Sequence, residues 1–451
     1  MLFVDATGTL LSYGSTPTGI PRIEDFLVRA ALADPDPAVV VVRFERRRRR
    51  YRRLNILERQ QLSGPPPSVN VDSERASRTE ILGQVFKIIR KNPTVGREAD
   101  RHFADLIAKN GRRGYFYAGA KLLFRTYRVY RRCLALVTLN YSATIGEPVD
   151  PRQGTVLMSN AVIFGSLMSR AFSATKRRAF ICHDLIPVLR PEFAIDSDHA
   201  KRFSENLDRA VRSNVAAICT SDSSSSMLSE YLRSAGGERL HIYRFPMPSI
   251  LHERANQVGR ASRSKPSEPF ILYCSTIEGR KNHILLARIW QQAFEESVAL
   301  PRLICIGKWG WGVDELRAYL AAHPALASRI IFTGPVTDNE LIKYYRSALF
   351  GVVPSYVEGW GYGASECLDF GIPVIVSTAP ALEEATHGMM PAIDPDDQAG
   401  WYAEMRRMVE DDERRARLSK QIAERHRPTP TAASWTSIKN ALCHSGTAGM
   451  S

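Results

Sequence analysis

Five short apolar runs, each followed by a helix-like stretch, dominate the second half of the chain: "PFILYCST", "PRLICIGK", "RIIFTG", "LFGVVPS" and "PVIVS". Between them lie "HILLARIWQQAFEE", "VDELRAYLAAH", "DNELIKYYRSA" and "GASECLDFG". A run that is apolar at nearly every position has no solvent face, so it suits a strand buried on both sides. Strands of this kind alternating with helices make a parallel sheet covered by helices on each face.

The first half has the same rhythm more loosely. "MLFVDAT", "AVVVVRF", "TVLMSN", "RRAFICHDLIP" and "VAAICTSD" read as strands. "TPTGIPRIEDFLVRAALADPDP" reads as a turn into a helix, and "SDSSSSMLSEYLRSAGG" as a capped helix with a glycine stop. The chain has 451 residues, more than one core accommodates. The expected fold class is therefore α/β, with two doubly wound domains facing across a cleft. The expected division is a first domain over 1–250 with an insertion near 45–115, a linker over 251–268, a second domain over 269–427 and a tail helix over 428–451. The linker is placed at "LHERANQVGRASRSKPSE", which is polar and shows no periodicity.

Charge is unevenly distributed. Residues 1–150 contain 26 Lys and Arg against 15 Asp and Glu, which is +11 of the chain's +14. The excess concentrates in "RFERRRRRYRRL" (43–54) and "KLLFRTYRVYRRCLAL" (121–136). Such surfaces seek phosphate on an anionic membrane or on nucleic acid, or are solvated loop and helix faces. The second run has an amphipathic pattern, which fits an interfacial helix or a core helix with a basic outer face. No recognisable nucleic-acid module accompanies these runs, so no nucleic-acid partner is expected. No apolar stretch reaches the ~18 residues that span a bilayer. The seven cysteines are scattered without a CxxC pair, and Cys182, Cys219, Cys274 and Cys305 are expected as buried thiols in a cytoplasmic protein.

Two stretches suggest chemistry. "EGWGYGASE" places Glu358 and Glu366 eight residues apart, around Gly359, Gly361 and Gly363, directly after a strand. Ligands of doubly wound sheets sit outside the carboxyl ends of the strands. Glycines let backbone amides approach an anion, and carboxylates accept hydrogen bonds from hydroxyls. A ligand rich in both phosphate and hydroxyl, a nucleotide sugar, matches this set. Alternatively, Glu358 is a loop acid and Glu366 a partner of the helix dipole. The second stretch, "STIEGRKNHILL", places Arg280 and Lys281 at a strand-to-helix turn. There they bind phosphate or form an exposed basic turn. Asp34-Pro35-Asp36 and Asp394-Pro395-Asp396-Asp397 match a loose metal-binding DxD pattern, but both lie in turns where Asp and Pro are common.

In sequence order, "IEGRKNH", "IGKWGWGVDEL" and "FTGPVTDNELIKYYRSALFGVVPSYVEGWGYGASECLDFGIPVIVS" resemble the retaining glycosyltransferases of family four, which have the GT-B fold. "PTGIPR", "ICHDLIPVLRPEF" and "SWTSIKNAL" resemble that family's glycine loop, the His-Asp stretch of its bacterial mannosyltransferase-like members, and its returning tail helix. The resemblance implies that Arg280 and Lys281 hold the donor diphosphate. Glu366 would bind the ribose and Glu358 the transferred sugar, beside the amides of Gly361, Tyr362 and Gly363. Gly19 would admit the phosphates, and His183 would touch the sugar or the reaction centre. Asp184 would lie in the donor site and orient His183 or the acceptor. The turn at Gly334 to Val336 would hold the base. The implied reaction is hexosyl transfer, mannose favoured, from GDP-mannose to a glycan or lipid-linked acceptor in bacterial surface polysaccharide synthesis. No metal and no further cofactor is expected, and the implied location is cytoplasmic or peripheral on the inner membrane face. The alternatives are a basic nucleic-acid-binding protein, driven by the arginine run, and a catalytically inactive GT-B scaffold. Trp360 stands where many members have Phe, and "STIEGRKN" replaces the commoner "GTIEPRKN".

Overall fold

In a computed structural model the described residues are 1–12, 19–45, 48–64, 146–160, 171, 174–212, 215–234, 240–257 and 268–444. The chain divides into two compact units. One comprises residues 1–9, 16–51 and 149–451, and the other residues 10–15 and 52–148.

The described strands form two largely parallel sheets. The strands of the first are β1 (Leu2–Asp5), β2 (Val39–Glu45), β3 (Arg50–Arg53), β4 (Thr155–Met158), β5 (Arg177–Cys182), β6 (Val215–Cys219) and β7 (Ile242–Arg244), in the order β3-β2-β1-β4-β5-β6-β7. Those of the second are β8 (Phe270–Cys274), β9 (Arg302–Ile306), β10 (Ile330–Gly334), β11 (Phe350–Val353), β12 (Val374–Ser377) and β13 (Ala392–Ile393), in the order β10-β9-β8-β11-β12-β13. In each sheet the order reverses once, between β1 and β4 and between β8 and β11, where the paired strands run parallel. That reversal is the topological switch point of a Rossmann-like sheet, beside which ligands bind.

The apolar runs behave as their sequence demands. Strands β8, β11 and β12 are buried along nearly their whole length. They share a core with Trp290, Tyr345 and Trp401. The first sheet has its own core around Phe3, Val42, Phe180 and Leu207.

Several segments differ from expectation. Within the polar stretch expected as a linker over 251–268, residues up to Gln257 complete a helix, Ile250–Gln257. Leu251 and Ala255, four residues apart on that helix, are buried with the second sheet's core. Two apolar positions suffice to dock a short helix, although they are too few to mark one in the sequence. Residues 258–267 lie outside the described set, as do 121–136 and most of the 45–115 insertion. The arginine run is partly strand. In β3 Tyr51 is fully buried. Arg50 pairs with Glu45 at 3.1 Å. In the smaller unit Arg52 forms a two-pronged pair with Glu58 at 2.6 and 2.8 Å, and Glu58 belongs to a capping box with Asn55. Arg50 and Arg52 are therefore paired within the fold, whereas Arg48, Arg49 and Arg53 lie exposed.

The Asp34–Asp36 turn is also occupied. Trp435 Nε1 donates to Asp34 at 2.6 Å, and Lys439 pairs with Asp34 and Asp36, each at 3.0 Å. Both come from the helix Thr431–His444, which packs on the helix Ile20–Ala33 and buries Trp435, Ile438 and Leu442. In the other DxD stretch Asp396 accepts from Tyr356, and Asp397 caps the helix Gln398–Glu410. Among the described residues no His, Cys, Asp and Glu side chains group as metal ligands, no cysteine is disulfide-bonded, and no helix is long and apolar enough to cross a membrane.

Candidate donor site

The loops leaving β8 and β11 emerge side by side at the second switch point, joined by the Tyr356 amide donating to the Arg280 carbonyl at 2.9 Å. The β8 loop carries Arg280 and Lys281 in the short 3-10 turn Gly279–Lys281, ahead of the helix His283–Glu295. The β11 loop carries Glu358 and ends at Gly361, whose φ of 103° turns the chain into the helix Tyr362–Asp369. Glu366 sits on that helix. These residues line one cleft, together with Gly19, Arg22, His183, Asp184, Cys274, Lys308, Val336, Tyr362 and Gly363. All the expected site residues therefore meet there except Gly334, which ends β10 two residues before Val336.

The two acids have separate surroundings. Glu358 is 5% exposed. It accepts from Arg280 Nη1 at 2.9 Å and Ser355 at 2.8 Å, and it pairs with Lys281. Burial alone would raise its pKa, but Lys281 and then Arg280 hold the carboxyl down at about 2. Arg280 also pairs with Glu278 at 2.7 Å. Two cations and two carboxylates thus neutralise one another inside the cleft. Glu366 accepts from Tyr345 Oη at 2.7 Å and Arg22 Nη1 at 2.8 Å. Its carboxyl is shifted upward by burial, against the pull of Arg22 and Tyr345.

The first sheet contributes the residues after β5. Burial lowers the His183 pKa to about 4, so the ring is neutral at physiological pH. Its Nε2 is buried and lacks a hydrogen-bond partner. Asp184 is shifted upward by burial, with Arg280 opposing, and it accepts from the Ile186 amide at 3.0 Å. Here the two sheets approach at backbone distance. A Cβ on Gly359 would lie 2.2 Å from the His183 carbonyl oxygen, so only glycine fits. Ser221 donates to the Gly359 carbonyl at 2.6 Å. Trp311 donates to the Phe193 carbonyl at 2.8 Å, and Phe193 stacks on Tyr356. Glu384 accepts from the Asp222 amide at 2.8 and 2.9 Å.

Sequence reasoning missed Glu278, Ser355, Tyr345 and, above all, Arg22. Arg22 stands inside the quoted "PTGIPR" stretch, but its partners lie 316 and 344 residues away.

Two Rossmann-like sheets meeting at a cleft are the architecture of the GT-B fold. The crystal structure of Anabaena HepE in complex with UDP and glucose has the same fold, with a TM-score of 0.52 at 13% identity over 98% of each chain. Residues 268–411 match the family model "Glycosyl transferases group 1". The serotype-specific mannosyltransferase WbdA of Escherichia coli is 23% identical over 317 residues, covering 64% of this chain and 37% of the relative. The O-antigen chain mannosyltransferase B of E. coli is 30% identical over 143 residues, 32% of this chain and 37% of that protein. The matches to this chain thus span little more than a third of these curated relatives.

Proposed function

We propose that this protein transfers a hexosyl group, with mannose favoured, from a nucleotide-sugar donor to a glycan or lipid-linked acceptor. GDP-mannose is the favoured donor and bacterial surface polysaccharide the favoured product. The observation that carries the proposal is the pairing of Arg280 and Lys281 with Glu358 at the second switch point, opposite His183 and Asp184. The lean towards mannose is supported by the names of the distant relatives.

In this reading the donor diphosphate displaces Glu358 from part of its contact with the two cations. As the anomeric C–O bond breaks, Arg280 and Lys281 stabilise the charge that develops on the leaving phosphate. Glu358, freed on one side, accepts from hydroxyls of the transferred sugar. Neutral His183 offers a hydrogen-bonding nitrogen to the same sugar. The acceptor hydroxyl attacks on the face the leaving group departs from, and its proton passes to the leaving phosphate oxygen, so the configuration is retained. Arg280 and Lys281, partly released from Glu358, face the diphosphate, and the reading invokes no metal. A cytoplasmic location goes with a nucleotide-sugar donor, at the inner face of the membrane for a lipid-linked acceptor.

The test is a thermal-shift titration with GDP, UDP, ADP and dTDP, without metal, on the wild type and Arg280→Ala. A ligand that binds only the folded state at 100 times its Kd adds about 2.7 kcal/mol of stability. GDP is expected to raise the wild-type melting temperature and to leave Arg280→Ala unmoved. No shift with any nucleotide at millimolar concentration would overturn the reading.

A further inference from the structure

The Arg22 side chain is 11% exposed and reaches from the first turn of the helix Ile20–Ala33 into the cleft. Helical side chains tilt towards the helix N-terminus, and this N-terminus, opened by Gly19 at φ 54°, faces the second sheet's helices. The guanidinium fork bridges two of them. Nη1 lies 2.8 Å from Glu366 Oε1, and Nη2 lies 2.9 Å from Asp338 Oδ1. Asp338 is held in turn by Arg254, 2.6 Å from its other oxygen. Arg22 is therefore fixed at one prong and presents the other to Glu366.

We propose that Arg22 is a positioning residue for the donor's ribose: it holds the Glu366 carboxylate correctly turned, so that the nucleotide subsite is complete only with both sheets in place. The inference rests on the donor reading above. Each carboxylate oxygen offers about two lone pairs. Arg22 takes one on Oε1 and Tyr345 one on Oε2. One remains on each oxygen, an arrangement that suits the two neighbouring hydroxyls of a ribose. Arg22 thus leaves the acceptor positions open while fixing their direction.

The surroundings of Glu366 make this cation necessary. Tyr362 and Asp369 lie on its own helix, Asp338 and Tyr345 on the helix Asp338–Ser347, and Cys274 at the end of β8. Arg254, on the helix Ile250–Gln257, reaches it only through Asp338. Burial, Asp369 and Asp338 all favour the protonated acid. Arg22 is the largest opposing influence, followed by Tyr345. Without Arg22 the carboxyl binds a proton at higher pH and then accepts fewer hydroxyl hydrogen bonds.

The test is calorimetric titration of the metal-free protein with GDP and with 2′,3′-dideoxy-GDP, from about pH 5.5 to about pH 8, on the wild type, Arg22→Gln and Arg22→Lys. At neutral pH, Arg22→Gln is expected to bind GDP about tenfold more weakly. The ratio of wild-type to Arg22→Gln affinity should widen as pH falls, and the phosphate's own titration cancels from that ratio. Arg22→Lys keeps the charge and should recover part of the affinity without the pH trend. With the dideoxy nucleotide the ratio should collapse towards one. Nucleotide-free melting temperatures show which variants are folded, and Arg22→Lys serves if Arg22→Gln is not. Equal or tighter GDP binding by Arg22→Gln overturns the proposal, as does an equal loss for the dideoxy nucleotide. A wild type that binds neither nucleotide overturns the donor reading itself, and this inference with it.

Discussion

The two acids of "EGWGYGASE" stand in one cleft yet have opposite electrostatic surroundings. Glu358 is compensated entirely by the second sheet's loops, and its carboxyl is held far below the usual range by Lys281 and Arg280. Glu366 is pushed the other way by burial, and Arg22, the cation paired with it among the described residues, comes from the first sheet's body. The charge of Glu358 is thus a property of one sheet, whereas the charge of Glu366 depends on two. Eight residues of sequence separate a carboxyl held down by its neighbours from one pushed up by burial.

The largest expected effect comes from removing a cation on the Glu358 side. Arg280→Ala leaves Glu358 and Glu278 buried beside Lys281 and, on the proposed reading, removes a donor to the leaving phosphate. Losing one such donor costs roughly 10²–10³ in kcat. Steady-state transfer from the sugar nucleotide identified by thermal shift measures it. A loss under fivefold would mean that the diphosphate binds elsewhere.

Intermediate effects separate the two acids directly. The folded pKa of Glu358, about 2, lies below its unfolded value. Its stabilisation is therefore present above about pH 5 and lost as pH falls through about 2, and amounts to on the order of 3 kcal/mol. Glu358→Gln should lower the nucleotide-free melting temperature by several degrees at pH 7. Glu366 has a raised folded pKa. Its contribution is favourable below the unfolded value and lost as pH rises through the folded one. Glu366→Gln should therefore leave the nucleotide-free melting temperature unchanged or higher, and still abolish the shift with GDP. Melting curves with and without nucleotide decide this, and the same direction for both variants would erase the contrast.

The smallest effect concerns a contact between the sheets away from the acids. Glu384 caps the helix Asp222–Ser234 by accepting from its first amides, and it pairs with Arg244 at 2.8 Å. Glu384→Gln should cost about 1 kcal/mol, in the range of a lost N-cap. Denaturant melts are expected to show this without a change in GDP affinity. A loss of affinity as well would mean that this side of the interface also governs the ribose subsite.

The strands of the second half were legible because a strand buried on both faces has nowhere to hide a polar residue. β8 to β12 coincide with the apolar runs. β3 was not legible, because its arginines mask one inward tyrosine and one arginine neutralised by Glu58. The helix Ile250–Gln257 was missed because only Leu251 and Ala255 declare its buried face. In the site, Arg280, Lys281, Glu358 and Glu366 were marked by glycines and strand ends. The partnership of Arg22 with Asp338 and Glu366 was not, since local sequence does not encode which residues meet across 344 positions.

The helix Thr431–His444 has a consequence for biosynthesis. Its Trp435, Ile438 and Leu442 cover the helix Ile20–Ala33 and β1, which are synthesised before it. A chain emerging at about 5–20 residues per second exposes that apolar patch for tens of seconds before its cover is made. The first sheet thus waits for its cover while the residues between the two segments are made, and until then its apolar patch is open to aggregation and to a chaperone.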